Sequence, residues 1–90
     1  MLEKVKRALR ISHSLLDEDI TETIAQARSE MERAGVMPDV ARSDSPIVEG
    51  AIKTFCLYIY AENVTLSDGY FKSWEYQLDN IRKSVSKGDE

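Results

Sequence analysis

The segment SPIVEGAIKTFCLYIY (residues 45–60) decides the fold. Serine followed by proline reads as a helix start: Ser45 suits the N-cap, and the missing N–H of Pro46 costs nothing at the first helical position. From there Ile47, Val48, Ala51, Ile52, Phe55, Leu57, Tyr58, Ile59 and Tyr60 cover nearly the whole circumference, and only Glu49, Lys53 and Thr54 mark a polar strip. Residues 55–60 are β-branched and aromatic enough to suit a strand. They continue a capped helical start, however, so the reading is helix over about 46–62. A helix apolar all round must be covered on most sides. Its uncharged stretch, Thr54 to Ala61, is far below the ~20 residues that cross a bilayer, so the cover is expected to be protein.

Upstream, Leu16, Ile20, Ile24, Ala27, Met31 and Ala34 recur at helical spacing and predict an amphipathic helix over about 16–34. Asp17, Glu18 and Asp19 favour its N-terminal dipole, with Ser14 or Asp17 as alternative N-caps. Gly35 and Pro38 end it. Residues 36–45 then read as a loop or short irregular segment, the longest connection and the best place for a mobile functional loop. Leu2, Val5, Ala8 and Leu9 predict a short first helix over about 2–11, with Glu3 and Arg7 in favourable i, i+4 order. Downstream, Phe71, Trp74, Leu78, Ile81 and Val85 form the seam of a last helix over about 68–85, capped by Ser67 or Asp68, with an Asp79–Lys83 pair. The expected fold is all-α: a small bundle of about four helices in one domain, residues 1–90, with 86–90 frayed.

Three such helices hardly cover the apolar one in a 90-residue chain, and this first suggests a partner subunit. All seven aromatics lie between Phe55 and Tyr76. The net charge is −4, unevenly spread: residues 1–16 carry +3 and residues 17–45 carry −5. The acidic second helix argues against a helix-turn-helix DNA reader.

No catalytic signature emerges, and no cofactor or metal is called for. His13, the only histidine, reads as a polar residue in a helix junction. Adjacent carboxylates at 17–19 point in different directions and do not converge on an ion. Cys56, the only cysteine, reads as a small buried hydrophobe suited to a reducing cytoplasm. No phosphate loop is present, and MLEKVKRALR has no signal-peptide core.

The order of these pieces resembles the tailed-phage head–tail connector (head-completion adaptor) family, of the small prophage type linked with DNA packaging. The matching stretches are Leu9-Arg10-Ile11-Ser12-His13, then Asp17-Glu18-Asp19-Ile20 with Ile24 and Ala27, then Ala34-Gly35-Val36, then Ser45-Pro46-Ile47-Val48 with Ala51-Ile52, and the aromatic C-terminal helix. The resemblance covers roughly residues 1–82. It implies a virion component, made in the host cytoplasm, and not an enzyme. Such subunits assemble as a ring, commonly of about twelve copies, below the portal protein. The ring extends the DNA channel, lies close to duplex DNA without specific binding, and docks the next head-completion or tail protein.

On that reading Lys4, Arg7, Tyr58, Tyr60, Tyr70, Trp74 and Tyr76 are candidates for the subunit or portal interface, since tyrosines off the seam suit protein contacts. The resemblance puts portal contact on about Trp74 to Val85. Met37, Asp39, Arg42 and Asp44 form the candidate channel or docking loop, where the two aspartates would repel phosphate. The alternative is a small cytoplasmic regulatory module, antitoxin- or anti-repressor-like, that binds one protein partner.

Overall fold

The computed structural model describes the backbone of residues 1–88 and the side chains through Lys83. Five helices follow one another: α1 (Leu2–Leu9), α2 (Asp17–Arg33), α3 (Pro38–Ala41), α4 (Pro46–Ile59) and α5 (Val64–Gly88). No strand occurs among the described residues. The all-α expectation holds, and the run at 55–60 is helical up to Ile59. The side chain of Val85 lies outside the described ones; of the end expected to fray over 86–90, the backbone of residues 86–88 continues the last helix and residues 89–90 lie outside the described residues.

α4 is the central element and packs against α1, α2 and α5. It buries Val48, Ala51, Ile52, Phe55 and Cys56. Opposite them stand Val5 of α1, Ile20, Ile24, Ala27 and Met31 of α2, and Trp74, Leu78 and Ile81 of α5. A side chain such as Ile52, wholly withdrawn from water, contributes about 1.5–3 kcal/mol. The Phe55 and Trp74 rings meet with centroids 4.8 Å apart and planes tilted by 55°.

Two helices end in the same way. Gly35, at φ 102°, closes α2 while Val36 N–H donates back to the Met31 carbonyl at 2.9 Å. This is the glycine stop expected from sequence. Arg10 closes α1 at φ 61°, and Ile11 N–H donates to the Lys6 carbonyl at 2.9 Å. Here a non-glycine residue accepts the left-handed conformation, so α1 stops at Leu9 and not at residue 11. The Glu3–Arg7 pair does not form among the described residues. Asp79 and Lys83 do pair, at 2.8 Å.

Three further points differ from expectation, the first being that α4 ends at Ile59 and not near residue 62. The segment 36–45 contains the one-turn helix α3, with Pro38 in its first turn. α5 starts at Val64, not near residue 68, because Asn63 supplies the cap: its Oδ1 accepts from Leu66 N–H at 2.9 Å. Ser67, expected as a cap, lies inside the helix and donates to the Tyr58 carbonyl at 3.4 Å. α5 therefore has 25 residues. At 1.5 Å per residue it is about 37 Å long, most of the 44 Å long axis of the molecule.

Candidate functional site

The groups with chemical potential are committed to structure. His13 is exposed, and its Nδ1 accepts from Leu15 N–H at 3.2 Å, closing the turn between α1 and α2. Cys56 is fully buried, and burial pushes its thiol up to about 11. At neutral pH it is therefore a thiol without nucleophilic character. Asp17 faces Lys6: the ammonium, almost wholly buried, stands 2.8 Å from Oδ1 as an ion pair off the angle of a hydrogen bond. Among the described residues these groups are engaged in packing, turns and ion pairs, and the surfaces come next.

Lys4 donates to Glu49 Oε1 of α4 at 2.8 Å, and Lys53 stands 3.0 Å from Oε2 of the same carboxylate. The hydrogen bond from Lys4, then that from Lys53, holds Glu49 below the usual carboxylate range, and Lys4 is raised in return. Lys4 is thus engaged within its own chain. Arg7 and Arg10 remain exposed along the outer edge of α1 and have no ion-pair partner among the described residues.

Next to that edge lies a broad uncharged face. On α4 it consists of Ile47, Gly50, Thr54 and Leu57, spaced 3, 4 and 3 and turned away from the buried side of the helix. On α5 it continues through Leu66, Tyr70, Ser73 and Gln77, spaced 4, 3 and 4. None of these eight positions is charged, in a chain that is 31% charged overall. Ile47 is 45% exposed, Leu66 44%, and Tyr76 at the outer rim 69%. At one end the face deepens into a groove of about 400 Å³ between Leu9 of α1 with Arg10 after it, Leu57 of α4 with Tyr60 and Glu62 after it, and Leu66 and Tyr70 of α5, so two charged residues, Arg10 and Glu62, line this end. Gln77 Oε1 is buried without a hydrogen-bond partner among the described residues.

The sequence candidates distribute unevenly over this surface. Tyr60 and Tyr70 come together in the groove, and Lys4 and Arg7 line the adjoining hollow with Glu49 and Lys53. Tyr58 is half-buried between Phe55, which it meets edge-on at a centroid distance of 5.9 Å, and Phe71, against which it is tilted at 5.1 Å. Trp74 is only 4% exposed and belongs to the core, not to the free surface. The reason is its position on the 71/74/78/81 seam, which faces Phe55. Phe71, expected inside on the same seam, is 39% exposed.

The loop candidates are on a held segment. Arg28 Nη1 donates to the carbonyls of Ala41 at 2.9 Å and Ser43 at 2.6 Å, and Nη2 donates to Asp44 Oδ1 at 2.7 Å. Val36 and Ala41 are buried beneath. Met37, Asp39 and Arg42 stay exposed, with Arg42 3.5 Å from Glu32. The expected mobile loop is thus clamped, and Asp44 is paired, while Asp39 carries an exposed charge. Sequence reasoning missed Arg28, since nothing local marks it. It also missed Leu66 and the stripe through Gly50 and Thr54, which the absence of charge at helical spacing on both helices would have revealed.

A family model described as Phage connector protein matches residues 1–87. No curated protein and no solved structure matches the chain.

Proposed function

The chain belongs to the phage connector protein family, and from that premise we propose that it works as one wedge of a ring below the portal. Its family makes it a structural part of a phage particle. No helix among the described residues is long and apolar enough to cross a membrane. On this reading the ring extends the DNA channel and offers a platform to the next head-completion or tail protein.

The observation that carries the reading is the uncharged face of α4 and α5. The chain's own core is already closed by Ile52, Phe55 and Trp74, yet Ile47, Leu66 and Tyr76 stay outside it. Apolar residues rimmed by polar ones are the mark of a protein contact. Tyrosine with a wet hydroxyl end suits the edge of such a contact. At a net charge of −4, with its cluster of basic residues confined to the first helix region, the chain offers duplex DNA little overall attraction. A channel wall that DNA slides along needs that lack of grip. The loop with Met37, Asp39, Arg42 and Asp44 is the part of the subunit we assign to the channel or to docking.

Sedimentation velocity over a concentration series, with and without the portal protein of the same phage, tests this. A discrete multi-subunit species, or co-sedimentation with portal, is expected. A chain that stays monomeric throughout and ignores portal overturns the reading.

A further inference from the structure

The uncharged face has a counterpart across the molecule. α2 buries Ile20, Thr23, Ile24, Ala27 and Met31. It turns Glu18, Glu22, Ala25 and Ser29 outward, and all four are exposed. Their spacing of 4, 3 and 4 makes one stripe, acidic in its first half and small in its second. Glu18 and Glu22 have no ion-pair partner among the described residues, as is true of Arg7 and Arg10.

We propose that the α4–α5 face of one copy receives the outer stripe of α2 of a second copy, with Glu18 and Glu22 against Arg7 and Arg10. This deepens the connector reading and rests on it. The lengths agree: Glu18 to Ser29 spans about 16 Å of helix and Ile47 to Leu57 about 15 Å. With the acidic half set beside Arg7 and Arg10, Ala25 and Ser29 fall toward Gly50. Small residues on both sides let two helices approach to about 8–10 Å between axes. A methyl group on Gly50 would already meet Gln77 Nε2 at 3.7 Å, so the amide with the unpartnered Oε1 sits at the same place.

The two surfaces lie on different sides of one chain. A contact between them is therefore heterologous: each copy offers one face and uses the other, and the chain of contacts closes where the rotation closes. Pairing of the α4–α5 face with itself would instead stop at a dimer.

The test uses the full chain with Cys56→Ala as background. Ala25→Cys and Ser73→Cys in one chain, treated with a short bismaleimide, should give a ladder of dimers, trimers and larger species on a denaturing gel. Ser73→Cys alone should stay monomeric, and a dimer from it overturns the proposal. Arg7→Glu with Arg10→Glu should weaken association roughly tenfold or more, as should Glu18→Arg with Glu22→Arg. All four reversals together should restore it, with circular dichroism confirming the helical fold in each case. If the protein assembles but the ladder is missing and the reversals change nothing, this contact is wrong and the connector reading stands. If the parent chain never assembles, with or without portal, both fall.

Discussion

Arg28 Nη2 lies 2.7 Å from Asp44 Oδ1, sixteen residues away in sequence, and the same guanidinium holds two backbone carbonyls of the intervening segment. The carbonyl bonds are partly buried, whereas the Asp44 carboxylate is largely in water. Removing Arg28 leaves two carbonyls unpaired near the core. Arg28→Ala should cost about 2–3 kcal/mol, and Asp44→Ala under about 1 kcal/mol. Urea unfolding of the two variants checks the ranking. Equal losses would mean the ion pair, not the carbonyl clamp, carries the segment.

Glu49 ties α4 to α1 through Lys4, and its carboxyl is held below the usual range by the hydrogen bonds it accepts. The folded state therefore binds this proton less readily than the unfolded chain does. The stabilisation is present above the ordinary pKa of a glutamate and is lost as pH falls through the lowered folded value. Thermal melts between neutral pH and pH 3 should show a steeper acid-side decline for the parent than for Glu49→Gln. Added salt should narrow the difference. Parallel curves would remove Glu49 from the acid response.

Cys56 gives the alkaline counterpart. Its thiol is raised from 9.0 to about 11 by burial alone. Between those values the unfolded chain releases the proton and the folded chain keeps it, so the Cys56 contribution to stability should be level just below pH 9 and fall from 9 toward 11. Cys56→Ala should flatten that fall. At pH 8 a thiol reagent should label the native chain only through opening, and full labelling should follow denaturation. Fast labelling of the native protein would contradict the burial.

The start of α5 predicts opposite effects a few residues apart. Asn63→Ala removes the side-chain cap on Leu66 N–H and should cost about 1 kcal/mol. Gly69→Ala lies inside the helix with open space around its Cα and should stabilise by about 0.5–1 kcal/mol. Chemical denaturation of both variants is sufficient. A neutral Asn63→Ala would place the true start further along, near Ser67.

The core was legible from spacing because a helix exposes its period to direct inspection. Ile20, Ile24, Ala27 and Met31, or Trp74, Leu78 and Ile81, meet the interior wherever α4 comes to lie. The candidate surface was legible only in part. Tyr60 and Tyr70, interfacial candidates by sequence, share one groove. Trp74 reads from its seam position as core and from its type as a contact residue, and it is core, because the same aromatic residue serves either environment. Only the packed position of Phe55 separates the two.

The helical nature of the chain, the central place of α4, the end of α2 at Gly35 and a surplus of apolar surface over what four short helices need can all be read along the chain. Each is a local property of capping residues and of a period of 3.6. Which charges are used internally depends on the packing of the helices. Lys4 reaches Glu49 and Lys6 reaches Asp17, so of the basic residues in the first helix region Arg7 and Arg10 have no ion-pair partner among the described residues. That packing likewise decided that Arg28 clamps the segment of Asp44, and that Gly50 and Ser73 share an uncharged face. Such pairings join residues far apart in the chain. They depend on how the helices cross, and no local pattern encodes that.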